Sequence, residues 1–133
     1  VTVDTNGYLG IGDENPSYPI DVGIANGAHV TTGGVWTNGS SKEFKENIKN
    51  LTTEEAMKAL DGLKPVKYNY KLEKEEEYVG FIAEEVPELV AMKNRKYLSP
   101  MDLAAVLTKV VQEQQKTIAE LKEKVAALEK KSH

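Results

Sequence analysis

Three hydrophobic patterns follow one another along the chain. Over residues 1–39 apolar and polar positions alternate weakly, as in Val1-Thr2-Val3 and Tyr8-Leu9-Gly10-Ile11, and Asn6-Gly7, Asn15-Pro16, Asn26-Gly27, Gly33-Gly34 and Asn38-Gly39 interrupt the alternation. Period-two alternation cut by such dipeptides predicts short strands joined by turns. The segment has too few large apolar residues to bury a core of its own, so it must lean on another surface, and identical neighbouring chains are the obvious one.

The second pattern is mixed. Thr52 and Glu55 form a capping box for a helix over about Thr53–Leu60, with Ala56, Leu60 and Leu63 on its apolar side and Gly62 then Pro65 as the stop. Val66-Lys67-Tyr68-Asn69-Tyr70 alternates as a half-buried strand, and Tyr78-Val79-Gly80-Phe81-Ile82 reads as its partner across a charged hairpin loop. The acidic run Glu75-Glu76-Glu77 falls in that loop and is expected to be a solvated tip. From Ile82 to Val90 a strand runs into a short helix that Pro87 interrupts or restarts. Glu84 and Glu85 are not paired catalytic carboxylates, because neighbours on a helix point about 100° apart.

The third pattern is a heptad repeat. Leu107, Val111, Gln114, Ile118, Leu121, Val125 and Leu128 recur with gaps alternating four and three, which predicts a coiled-coil seam in a helix over about 101–131. Ser99 is the expected N-cap, with Pro100 at the first helical position and Asp102 in the first turn. With Val111, Ile118 and Val125 at a, positions d are Leu107, Gln114, Leu121 and Leu128. Lys124 at g can then pair with Glu129 at the next e between parallel strands. β-Branched a with leucine d favours two strands. The competing reading is a lone amphipathic helix packed on its own domain.

Composition narrows the function. At 133 residues, 40% hydrophobic and 29% charged, the chain suits one small globular domain plus an extended element. It opens on Val1 and reads as a fragment of something longer. A net charge of -4 and a pI near 5.3 argue against nucleic acid as partner. No stretch approaches the roughly 20 apolar residues of a membrane span. There is no cysteine, and the two histidines, His29 and His133, cannot make a metal cluster. Gly10-x-Gly12 lacks the rest of the dinucleotide fingerprint and is expected to be a turn. Asp13, Glu14 and Asn15 do not have calcium-loop spacing. No metal and no cofactor are expected.

The composition changes at Ser40-Ser41-Lys42-Glu43-Phe44-Lys45-Glu46-Asn47-Ile48. On spacing alone Ser40-x-x-Glu43 is a capping box for a helix beginning at Ser41. Ser40 and Lys45 are also a nucleophile and a base, because a neutral lysine amine can take a serine proton. Free lysine titrates near ~10.4, so burial or a neighbouring cation, for which Lys42 is the candidate, must lower it. Five positions along a helix, or along a strand, leave Ser40 and Lys45 on different faces. A turn must lie between them, or the lysine must come from another chain.

The run resembles the start of the self-cleaving C-terminal intramolecular chaperone of phage tail spikes and fibres, the endosialidase-type family. Its usual opening is roughly S-D-E-R-L-K-E-N-I, so Ser40 and Lys45 take the serine and lysine positions while Ser41, Lys42, Glu43 and Phe44 depart. Gly80 through Ile82-Ala83-Glu84-Glu85-Val86-Pro87-Glu88-Leu89-Val90 resembles a second signature, with Glu84 in place of the usual Gln. Tyr97-Leu98-Ser99-Pro100-Met101-Asp102-Leu103 resembles a third. Asn6–Gly12 and Pro16–Val22 are similar to sequence often found upstream of this chaperone.

The resemblance implies that Ser40 attacks the carbonyl of Gly39, that a single self-cleavage falls between Gly39 and Ser40, and that the partner is a homotrimer. It implies a virion tail or appendage as location, the chaperone domain being released after cleavage. The expected architecture is α+β: the end of a β-rich shaft at 1–39 and an autoprocessing domain at 40–133 that ends in a parallel coiled coil. The structural alternative is a non-cleaving trimerisation cap in which Ser40 only caps a helix. A cellular self-processing factor is a third reading, disfavoured by the fibre-like upstream segment.

Overall fold

Turn residues cut the first 37 positions into strands of two or three residues: β1 (Thr2–Val3), β2 (Leu9–Ile11), β3 (Ile20–Val22), β4 (Ala28–Val30) and β5 (Trp36–Thr37). Gly7, Gly12, Gly27 and Gly34 adopt positive φ between and beside them, a conformation that a side chain would oppose. The computed structural model describes residues 1–23 and 27–132. Asn26 of one expected turn, and His133, lie outside them. The described chain falls into two compact units, Val1–Lys49 and Asn50–His133.

In the first unit the strands lie in the order of the sequence. All neighbours are antiparallel except β2 and β3, which run parallel. Their connection spans only residues 12–19, shorter than the dozen or so residues that parallel connections usually take. Gly12 at φ 74 and the buried Pro16 compact it. Asp13 is pressed between two strands: a Cβ on Gly10 would meet its carbonyl oxygen at 2.2 Å, and one on Gly23 would meet its Cβ at 2.2 Å.

Register gives this sheet two faces, because directly paired residues share a side. Val3, Leu9, Ile20, Val30 and Trp36 form one cross-strand row, and none of them is fully buried. Gly10, Asp21, His29 and Thr37 form the row on the other face. Gly10, Pro16 and Asp21 are the buried residues of the described part of this unit, and no large apolar side chain is among them. The expectation that the segment lacks a core of its own agrees with this burial pattern.

The second unit begins with helix α1 (Thr53–Gly62). Its capping box is complete: the Thr52 hydroxyl accepts from the Glu55 N–H, and the Glu55 carboxylate accepts from the Thr52 N–H at 3.0 Å. Helix α2 (Pro100–Lys131) crosses the unit and continues past it. Ala56, Ala59, Val86, Val90, Val106 and Val110 make the buried core, with Leu51, Leu60, Leu63, Phe81, Leu98 and Leu103 around it. Small residues let the elements approach closely. A Cβ on Gly62 would meet Pro87 Cγ at 2.8 Å.

Between the helices, β6 (Val66–Tyr70) and β7 (Glu73–Gly80) form an antiparallel hairpin. The expected long charged loop is absent: a two-residue turn at Lys71-Leu72 connects them, and Glu75-Glu76-Glu77 is an exposed part of β7. Ile82 lies beyond the strand. The ladder breaks between Tyr68 and Tyr70, where Asn69 Nδ2 donates to the carbonyls of Lys74 (3.0 Å) and Glu76 (2.7 Å). Tyr68, Tyr70 and Tyr78 pack ring on ring at 5.3–5.9 Å between centroids.

Residues 83–85 form a turn instead of a helix, and Pro87 opens a single 3-10 turn at Glu88–Val90. Arg95, at φ 49, donates to the Val86 carbonyl at 3.0 Å and to the Glu88 carboxylate. Ser99 occupies the N-cap position of α2, but its side chain makes no capping hydrogen bond.

Candidate functional site: a serine and a lysine joined across one turn

The stretch around Ser40 forms neither a helix from Ser41 nor a strand. Lys42–Phe44 is a single 3-10 turn, flanked by extended backbone at Ser41 (ψ 147) and Lys45 (ψ 148). Its closing bonds run from Phe44 N to Ser41 O and from Lys45 N to Lys42 O, both 3.1 Å. Ser41, not Ser40, is the cap: the Ser41 hydroxyl accepts from the Glu43 N–H at 3.2 Å. A capping role for Ser40 is thereby corrected by one residue.

The turn folds the chain back so that Lys45 meets Ser40. Lys45 Nζ donates to Ser40 Oγ at 2.6 Å and to the Ser40 carbonyl at 3.1 Å. Of the two routes open to residues at this spacing, an intervening turn or a second chain, the turn is present within one chain. Both side chains are exposed, while Gly39 is half-buried. Among the described residues Lys42 makes no side-chain hydrogen bond or ion pair with Ser40 or Lys45, whose own side-chain bonds go to each other and to the Ser40 backbone.

The Gly39-Ser40 bond lies two residues beyond the last strand, so scission there would remove no strand from the sheet. Gly39 forms part of the wall of an open groove of about 530 Å³ within the first unit, together with Asp13, Ser17, Tyr18, Asp21, His29 and Phe44. Sequence reasoning missed this groove. It is assembled from the β2–β3 connection, strands β3 and β4, the segment after β5 and the 3-10 turn, which folding alone brings together.

The seam residues lie on α2 as spaced. Leu107, Val111, Ile118, Leu121, Val125 and Leu128 are 47–65% exposed, and Gln114 is exposed. The helix uses a different stripe to pack on α1: Val106 and Val110 are buried, and Leu107 and Val111 follow them roughly 100° around the axis. The helix thus packs on its own domain, as the competing reading expects, but through Val106 and Val110 and not through the heptad residues. Ile118, Leu121, Lys122 and Val125 border a shallow hollow on the outer half, the i, i+3, i+4, i+7 diamond that receives a knob in a coiled coil.

Three charged groups of the second unit have shifted titration. The hydrogen bond and charge of Lys96, 2.8 Å from Glu84, hold the Glu84 carboxyl below the usual carboxylate range, and Glu84 in turn raises the Lys96 ammonium. The Thr52 N–H lowers Glu55. Glu84 is thus committed to an ion pair, not to Glu85. Among the described residues no group of acidic or histidine side chains could hold a metal ion, and no helix is long and apolar enough to cross a membrane.

Comparison with curated proteins and with solved structures returns no match. A family comparison does: residues 40–93 match the model of a peptidase family described as chaperone of endosialidase. The match opens on Ser40, takes in the turn that carries Lys45, and closes after Glu88–Val90. From Ser40 to Lys93, then, the chain is similar to the chaperone-of-endosialidase family, which supports an intramolecular chaperone domain there.

Proposed function

We propose that the chain is the C-terminal part of a trimeric phage tail spike, fibre or appendage, whose domain from Ser40 onward chaperones assembly and then cuts itself off between Gly39 and Ser40. The observation that carries this reading is the 2.6 Å hydrogen bond between Lys45 Nζ and Ser40 Oγ across the 3-10 turn. In the reaction, a neutral Lys45 amine takes the Oγ proton as Oγ attacks the Gly39 carbonyl carbon. The Gly39 C–Ser40 N bond breaks, the proton passes to the departing amine, and an ester joins Gly39 to Ser40 Oγ. Water then hydrolyses that ester. Each chain reacts once.

The exposure of the dyad in a single chain supports gating by assembly. Removing water from around a lysine favours its neutral form, and neighbouring copies are the proposed cover. Two further features support a homotrimer: the apolar row across the sheet and the free heptad stripe on α2. Although β-branched a residues favour two strands in isolation, the sheet unit and Gln114 also contribute to strand number.

The test is the mass of the expressed chain and of Ser40→Ala. The reading expects fragments meeting at Gly39/Ser40 for the wild type, and intact Ser40→Ala and Lys45→Ala chains that still associate. Cleavage of Ser40→Ala at that bond would end the dyad reading. An intact wild-type trimer would favour the non-cleaving cap.

A further inference from the structure

We propose that His29 is the general base for the second half of this reaction, accepting a proton from the water that hydrolyses the Gly39–Ser40 ester. The inference rests on the dyad reading above and adds to it a residue upstream of the cut. Lys45 bonds through its side chain to atoms of Ser40, so it serves the nucleophile and the departing amine. The acyl carbon belongs to Gly39, which lines the groove with Asp21 and His29.

Strand register brings these residues together. Asp21 pairs with His29, and His29 with Thr37; Gly39 follows β5 by two positions and lines the same groove as Asp21 and His29. The imidazole is fixed rather than free. Its ring stacks on Tyr18 with centroids 3.6 Å apart and planes 11° from parallel. Its Nδ1 lies 2.9 Å from the Gly27 carbonyl. A carbonyl only accepts, so Nδ1 carries the hydrogen, and the lone pair of the neutral ring is at Nε2. Asp21, 7% exposed, sits opposite His29 in the pairing, and its carboxylate accepts from the Ser17 N–H of the preceding connection at 3.0 Å.

The chemistry balances. Water gives one proton to Nε2 as its oxygen bonds to the Gly39 carbonyl carbon. The C–Oγ ester bond then breaks, and the imidazolium returns the proton to Ser40 Oγ. The products are the Gly39 carboxylic acid and the Ser40 hydroxyl. No oxidant, metal or further reactant is needed. The groove has room for the water.

The test uses full-length His29→Gln, which keeps a donor for the Gly27 carbonyl, and His29→Phe, which keeps the stacked ring. Scission should slow by about 100-fold or more in both, the scale of general-base catalysis, because the chain stalls as the ester. Hydroxylamine attacks esters without needing a base. It should restore scission of both variants and leave a hydroxamate on Gly39, detected by mass. Wild-type rates in either variant would overturn the proposal. Slow scission that hydroxylamine does not rescue would overturn it too, since His29 would then act before the ester or only on the fold. Ser40→Ala treated alongside separates the two readings: it should stay intact with hydroxylamine, and its cleavage would bring down the dyad reading itself.

Discussion

The two units solve the burial problem in opposite ways. The helical unit shuts alanine and valine between α1, α2 and the 3-10 turn at Glu88–Val90, whereas the sheet unit hides glycine, proline and one aspartate and leaves its apolar row partly open. The first is held by side-chain contact within one chain. The second is held by turns, close backbone approach and strand pairing, and its cross-strand apolar row stays partly exposed. Under the proposed function this difference has a use, because a part that starts assembly must fold before a part that depends on it.

The comparison is broken most severely by a charge in the helical core. Val110→Asp, at a position 3% exposed, should cost about 4 kcal/mol or more, since an unpaired carboxylate would be buried. Helical circular dichroism should be lost. Val35→Asp, at a position 60% exposed, should stay within about 0.5 kcal/mol. The chain has one tryptophan, Trp36 in β5, so its fluorescence reports the sheet unit while circular dichroism reports the helices. The two transitions should not coincide in the monomer. Coincident transitions would mean that the units unfold as one.

Association is the next largest effect. Ile118→Asp or Leu121→Asp should leave the packing of α1 on α2 intact, because Val106 and Val110 use another stripe, and should yield monomers in sedimentation. Self-cleavage should fail with assembly. Monomers that still cut at the normal rate would separate the dyad from the trimer. Within the sheet unit, Gly23→Ala drives a Cβ to 2.2 Å from Asp13 Cβ and 2.9 Å from Asp13 Cα. It should cost roughly 1–3 kcal/mol, seen in the tryptophan transition and not in the helical one.

Smaller effects test the edges of the helical unit. Thr52→Ala should cost about 1 kcal/mol, as N-cap losses do. Because Glu55 is lowered by the Thr52 N–H, its share of the capping box is present above the unfolded carboxylate value and lost as pH falls through the folded one. The Glu84–Lys96 pair has two limits. The Glu84 contribution disappears in acid below its lowered value, and the Lys96 contribution is present below the unfolded lysine value and lost as pH rises through the raised one. Urea melts of Lys96→Met against wild type should therefore differ most near neutrality and converge at both extremes. A constant difference across pH would remove the electrostatic explanation.

How far the sequence revealed this structure depended on whether the signal was local. Thr52 with Glu55, Gly62 as an end and Pro100 at a helix start each act over a few residues, and each is found where its spacing predicts; the heptad residues all fall on the one helix α2. The requirement for a turn between Ser40 and Lys45 was legible from helical and strand periods, but the kind of turn was not. Ser40 and Ser41 compete for the cap, and only the geometry awards it to Ser41. The hairpin misled because Lys71-Leu72 carries none of the Asn-Gly or Gly signals of a tight turn. Its Glu-rich strand is held by cross-strand tyrosines and by Asn69 reaching across to two carbonyls. The groove beside Gly39 was illegible for a related reason: Asp21, His29 and Gly39 are neighbours only once β3, β4 and β5 are in register.

The position of the proposed cut relative to these residues has a consequence for what each product remembers. Ser40 and Lys45 both lie after the bond, and Tyr18, Asp21 and His29 all lie before it. Scission along that line would divide the catalytic equipment between two molecules, the released domain keeping the nucleophile and the remaining part keeping the groove apart from Phe44. Neither fragment could repeat the reaction on a neighbour or readily reseal its own break. A spike processed in this way would hold a permanent chemical record that it had once been assembled, written without an inhibitor, a second protease or any effector to switch the activity off.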